Sequence, residues 1–259
     1  MKSDLLIDSM NDAAELINPM GKAPLVLICE HASNVIPASL NNLGLRSEDR
    51  VSHIAWDIGA YEMAIKMSEL LDAPLIASKV SRLVYDCNRA PELGIGIPAV
   101  SESIEIPGNK DLSEDEINDR VEHVYKPVHN LINQTIVNPK RLTLSEKHAE
   151  PAIVTLHSFT PVYLGEKRSV ELGILHDKDD RLARKFMHSI NKNNDLIAKF
   201  NAPYDASDNV MHTINKHSKD GSFLNVMIEV KNDLLLNAMN INSVANDLSN
   251  ALKDALQIE

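Results

Sequence analysis

The feature that most constrains this chain is a series of short, unbroken apolar runs, several of which stop abruptly at charged or polar residues. Pro24-Leu25-Val26-Leu27-Ile28-Cys29 gives way to Glu30-His31, and Ala152-Ile153-Val154-Thr155-Leu156 to His157-Ser158. Pro74–Ala77, Glu171–Leu175 and Val226–Val230 are further runs of four to five residues, and the last of these carries Glu229 inside it. A continuous run suits a strand buried on both faces, as in sheets covered by helices, whereas an alternating one suits a half-exposed strand.

Between these runs lie helical patterns. Ile58, Tyr61, Met63, Ala64, Met67, Leu70 and Leu71 recur at helical spacing, so a helix follows Asp57. Ser113 followed by Glu116 is a capping box, opening a helix that runs to about Ile136 and tolerates or kinks at Pro127. Further helices are expected over 179–191 and 241–256, and a short amphipathic one over Ser9–Ile17. The stretch from Ala90 to Asp111, rich in Pro, Gly and Ser, reads as a functional loop or lid. Strands alternating with helices predict an α/β fold: a single domain, 1–259, with a mixed or mostly parallel sheet flanked by helices.

Composition narrows the function. At 259 residues, 44% of them apolar, the chain can build a substantial core, and no window approaches a membrane span. The opening residues do not read as a secretory signal, and Cys29 and Cys87 cannot form a disulfide scaffold, so a reduced, cytoplasmic protein is expected. The net charge of −11, from 37 acids against 26 bases, repels phosphate backbones, so neither nucleic acid nor membrane is expected as a partner. An anionic small molecule would need a local arginine cluster.

In such sheets ligands bind at the carboxyl ends of strands, where Glu30-His31, His157-Ser158 and Glu229 fall. His31 and His157 could converge there, and two imidazoles with a carboxylate make a three-ligand site with a position open for water. Asp57 and Glu30 both qualify as the third ligand; alone, Asp57 would serve as a helix N-cap. Zinc fits such a set, as do other divalent ions. Glu229 is costly to bury unless it is paired, with Lys231 on the same strand face, or working as a general base. Ser81-Arg82-Leu83-Val84-Tyr85-Asp86-Cys87-Asn88-Arg89 supplies the arginine cluster, whose planar forks match carboxylates, or else an Arg–Asp structural pair. His53, His123, His129, His148 and His188 show no partner pattern.

Taken in order, CEHASNVIP (29–37), HIAWDIGA (53–60), SRLVYDCNRAPE (81–92), LHSFTPV (156–162), LGILHDKDDRLA (172–183), NAPY (201–204) and VMIEVKNDLL (226–235) give the chain a resemblance to the N-formylglutamate amidohydrolase family. The resemblance implies a domain similar to zinc-dependent exopeptidases of the carboxypeptidase type (phosphorylase/hydrolase-like). It implies hydrolysis of N-formyl-L-glutamate to formate and L-glutamate in histidine degradation. It also implies a divalent metal, zinc by preference, held by His31, Asp57 and His157, with Glu229 catalytic and Ser33, Arg82, Asn88 and Arg89 binding substrate. Lys231 stands where the family often has Arg, 216–221 is looser than its His-Gly pattern, and CEHASN marks a branch distinct from members with a Pro-His-Ser-Gly opening. The alternatives are a related amidase or carboxypeptidase-like hydrolase for another N-acyl amino acid or small peptide, and a ligand-binding homologue without turnover. Oligomeric state is left open.

Overall fold

The computed structural model describes residues 13–137, 151–193, 196–218 and 221–258. Its core is a seven-stranded sheet of order β1-β3-β2-β6-β11-β9-β10. The strands are β1 (Ala14–Ile17), β2 (Leu25–Cys29), β3 (Leu75–Ser78), β6 (Ala152–Phe159), β9 (Leu172–Leu175), β10 (Ala198–Phe200) and β11 (Leu224–Lys231). β3, β2, β6 and β11 run parallel; β1 and the β9–β10 pair join them in antiparallel sense. This is the mixed, mostly parallel α/β sheet expected, and the four parallel strands coincide with the apolar runs because they are covered on both sides.

One face packs against the helices α2 (Ala60–Leu71), α5 (Arg181–Asn193) and α7 (Ala238–Leu256), with α7 lying against both of the others. Leu25, Leu27, Val154, Leu156, Val226 and Ile228 point into that layer. The alternate residues Val26, Ile28 and Ile153 face the opposite layer, which includes α4 (Lys126–Ile136). A short α1 (Ser47–Arg50) and α6 (His212–His217) complete the connections, and among the described residues no helix is long and apolar enough to cross a membrane.

Ser113 caps α3 (Glu114–Arg120) in a full capping box, and a single π turn over Val121–Tyr125 joins it to α4, accommodating Pro127. The helix expected over Ser9–Ile17 is not found in its described part: Ala14–Ile17 is a strand on the β3 edge, and residues 9–12 lie outside the described segments. The open ladder of β3 offers partners to the backbone groups of β1 that face it, which outweighs a weak local helix preference. The 90–111 stretch forms a hairpin of β4 (Val100–Ser101) and β5 (Ile104–Glu105) between short 3₁₀ turns. It is anchored at Asn109, whose amide donates to Leu83 O and Pro98 O and whose Oδ1 accepts from buried Arg120.

Candidate metal and catalytic site

The two strands at the sheet's centre set the site. On β6 and β11 the even-numbered residues face α2, α5 and α7, so His157 and Glu229 project to the other side. They are also register partners across the parallel ladder, which puts their side chains next to each other. β6 does not end at His157, as the sequence suggested, but continues through Phe159, because β11 pairs with it over that whole length. His31 follows β2, and its carbonyl accepts the amide of Asp57, tying the two segments together.

Asp57 is not a helix cap. Gly59, at φ +79°, occupies the N-cap of α2 without any side-chain cap bond, and a Cβ there would lie 2.5 Å from Leu235 Cβ. The Asp57 carboxylate instead faces the two imidazoles: Oδ2 lies 3.2 Å from His31 Nδ1 and 2.9 Å from His157 Nδ1. These three residues each place a ligand atom within 4.8 Å of the others. Glu30, the competing third ligand, sits behind His157, with Oε2 3.2 Å from the far nitrogen Nε2. Asp86 does the same for His31, Oδ1 lying 2.8 Å from Nε2. Each imidazole therefore turns Nδ1 to the centre and Nε2 towards a carboxylate; for His31 this is a hydrogen bond that fixes a ligating tautomer, and for His157 it is an ion pair without hydrogen-bond geometry.

The charges fit a divalent ion. Three buried carboxylates (Glu30, Asp57, Asp86) face one guanidinium, Arg82, and two imidazoles. Two protons on the imidazoles, or one divalent cation with both imidazoles neutral, balance the set equally. In the protonated state burial works against the His157 imidazolium, but Glu30 and Asp57 outweigh it and raise its pKa well above the ordinary value. Burial alone would likewise raise the Glu30 carboxyl, and His157 instead holds it down at about 2.

Glu229 is the one of these acids whose pKa is raised, while in lacking hydrogen-bond partners it resembles Glu30. Burial pushes its pKa up to about 7, and Oε2 has no hydrogen-bond partner among the described residues. Lys231 does not neutralise it but lies 3.8 Å from Asp233. On the far side of Glu229 stands Gly173, its antiparallel partner on β9, where a Cβ would come within 2.3 Å of Ala202 O. The missing side chain lets the 202–204 segment close over the sheet and place Pro203 and Tyr204 on the cavity wall.

That cavity has a volume of about 550 Å³ and takes in His31, Asp57, His157, Glu229, Arg82, Asn88 and Arg89. Arg82 is held by Asp57 Oδ1 at 3.2 Å and Asp86 Oδ2 at 3.1 Å, so the Arg–Asp structural pairing is realised. Both ends of the Asn88 amide are committed to the 210–213 segment, donating to Val210 O and accepting from Thr213 N. Arg89 donates to the carbonyls of Asn88 and Asn209. Ser33 is not among the residues that line the cavity; its Oγ accepts the Val35 amide in a local turn. Sequence reasoning missed Arg168 and Tyr204, which share the wall, and the His53–Glu102 pair at 2.7 Å.

Comparison with known proteins gives three findings. A family model described as N-formylglutamate amidohydrolase matches residues 23–236. A solved structure of a gene product from Agrobacterium tumefaciens is similar at 40% identity and a TM-score of 0.90, over 95% of this chain and 96% of that one. The structure of N-formylglutamate amidohydrolase from Ralstonia eutropha JMP134 is similar in fold, with 15% identity and a TM-score of 0.68, over 95% of this chain and 98% of that one. Among curated proteins no match is found.

Proposed function

The chain belongs to the N-formylglutamate amidohydrolase family, and from that premise we propose that it is a metal-dependent amidohydrolase for an N-acyl acidic amino acid, N-formyl-L-glutamate first. The observation that carries the reading is the juxtaposition of His31, Asp57 and His157 with an uncompensated, desolvated Glu229 on one cavity wall.

The residues that would hold the metal are His31 and His157, each through Nδ1, and Asp57 through Oδ2. A divalent cation there, zinc by the chemistry of the donor set, supplies Lewis acidity that polarises a carbonyl and acidifies water. Glu229, buried beside His157 with Oε2 lacking a hydrogen-bond partner among the described residues, is placed to take a proton from the attacking water and return it to nitrogen as the C–N bond breaks. The water oxygen adds to the formyl carbon, one water proton reaches nitrogen through Glu229, and the formic acid released gives up the other to the free amine, so that formate and an ammonium-form amino acid leave. Asp86 and Glu30 keep Nδ1 of each imidazole directed at the centre. Arg82 stabilises the carboxylates of Asp57 and Asp86, and Arg89 is positioned to receive a substrate carboxylate.

Formate release from N-formyl-L-glutamate by zinc-replete protein tests the reading. Turnover that a chelator removes and zinc restores supports it. Chelator-insensitive turnover removes the metal from the scheme, and absence of turnover transfers the reading to another N-acyl amino acid or small peptide.

A further inference from the structure

We propose that Arg168 is the receptor for the side-chain carboxylate of the substrate, and so the residue that makes the site select acidic over neutral N-acyl amino acids. The proposal rests on the amidohydrolase reading above and specifies its substrate class.

Three arginines line the cavity, and they differ in what neutralises them. Arg82 is fully compensated by Asp57 and Asp86. Arg89 and Arg168 donate hydrogen bonds only to neutral groups among the described residues, and of the two only Arg89 lies near enough to Asp86 to help hold that carboxylate ionised. Arg168 follows β8 (Glu166–Lys167) at the root of its hairpin with β7 (Val162–Tyr163), where its amide donates to Pro161 O. Its guanidinium lies over the rings of Tyr163, Tyr204 and Phe159, at 4.7, 4.8 and 5.5 Å from their centroids. Nη1 donates to the Tyr204 hydroxyl at 3.0 Å and, more weakly, to Thr160 O at 3.4 Å, while Nε and Nη2 have no protein hydrogen bond among the described residues.

These partners orient the charge without cancelling it. In a chain with 37 acids against 26 bases, a half-buried guanidinium on a cavity wall, with no carboxylate paired to it among the described residues, is a fork prepared for an incoming anion. Tyr204 links it to the reacting centre: burial first, then the nearby Glu229 charge, raises the phenol's pKa, while Arg168 and Arg82 pull the other way. Arg168 is thus one phenol away from the proposed general base.

The two arginines without a salt bridge among the described residues match the two carboxylates of an acidic N-acyl amino acid. The α-carboxylate sits on the carbon that bears the scissile nitrogen, so its receptor belongs with the segment that builds the centre; Arg89 follows Asp86 and Asn88 there. The side-chain carboxylate lies further out, and a separate hairpin can receive it.

The test compares kcat/KM for N-formyl-L-glutamate with that for its neutral isostere N-formyl-L-glutamine in wild type, Arg168→Met, Arg168→Lys and Arg89→Met. Calorimetric Kd values for L-glutamate and L-glutamine are measured alongside. We expect Arg168→Met to lose about a hundredfold on the acid, chiefly through KM, and less than tenfold on the amide, with Arg168→Lys recovering part of the preference. An equal loss on both substrates overturns the proposal, as does collapse of the preference in Arg89→Met but not in Arg168→Met. If wild type releases formate from neither compound, the deformylase reading fails by itself. The binding data then decide the subsite: preference for glutamate that disappears in Arg168→Met supports it, and no preference in wild type overturns it.

Discussion

Asp57 Oδ2 lies 2.9 Å from Nδ1 of His157, a residue 100 positions later in the chain. The same oxygen meets His31 Nδ1 and accepts the Ser158 amide, so Asp57 is the point where three segments close on one centre. Glu30, by contrast, reaches only the outer nitrogen of His157 within this centre. Asp57→Asn is therefore expected to abolish stoichiometric zinc binding, because a neutral amide replaces the carboxylate proposed as ligand. Glu30→Gln should keep one zinc per chain with affinity reduced about 10- to 100-fold, the usual cost of losing an outer partner. Metal content after dialysis against buffered zinc checks both. Retention in Asp57→Asn with loss in Glu30→Gln would reverse the assignment.

Glu229 illustrates a site residue that opposes stability. Its folded pKa of about 7 lies above the ordinary 4.5, so between those values the folded state holds a proton that the unfolded state has released. Stability from this group falls as pH rises from 4.5 through 7, and the full cost is present above that. In metal-free protein, Glu229→Gln should raise Tm at pH 8 and change it less at pH 5. In metal-loaded protein the same substitution should lower kcat by at least about a hundredfold, the usual scale of a lost general base, while zinc remains bound. A variant equally stable and still active would remove Glu229 from the mechanism.

What could be read in the sequence follows from where the information is local. The buried strands were legible because continuous apolar runs have few other uses, and Glu229 stood out as a carboxylate inside one. The choice between Asp57 and Glu30 was not, since it depends on which carboxylate meets an imidazole from a distant strand. Arg168 was invisible: within Tyr163-Leu164-Gly165-Glu166-Lys167-Arg168 it reads as a surface charge. Its partner Tyr204 lies 36 residues away on the segment that Gly173 admits. Ala14–Ile17 became a strand through the neighbouring β3 edge, a contact that no local periodicity announces.

Arg82 shows why a cluster of arginines is not automatically a substrate clamp. Its guanidinium bridges Asp57 and Asp86, whose side chains are 5% and 8% exposed. Arg82→Met leaves two buried carboxylates short of a counterion, a defect that costs about 3 kcal/mol or more when a buried pair is broken. The expected result is a clear loss of urea stability together with disturbed zinc affinity. Arg89→Met removes two backbone-carbonyl contacts and a charge that acts on Asp86 less than His31 and Arg82 do, so it should raise KM with a smaller change in stability than Arg82→Met. Denaturant titrations beside steady-state kinetics separate the two, and a variant pair with the same profile would reject the distinction.

A second histidine group, unrelated to metal ligation, should govern acid sensitivity. His129 Nε2 lies 2.9 Å from Cys87 O, and a carbonyl can only accept, so that nitrogen carries the hydrogen. Nδ1 must then accept from His217 Nε2, 2.9 Å away. Burial lowers the His129 pKa to about 3; His217, His212 and Lys216 add to the effect against the opposing bond to Cys87. An unfolded histidine titrates near 6.5, so between these values the unfolded chain binds a proton that folded His129 refuses. Stability is complete above about pH 6.5 and falls as pH drops, by up to about 1.4 kcal/mol per pH unit from this residue. His129→Gln can still donate to Cys87 O but has no proton to take up. It should lower Tm at pH 7.5 and yet lose less on moving to pH 5 than wild type does. Parallel Tm–pH curves for the two proteins would show that the acid sensitivity originates elsewhere.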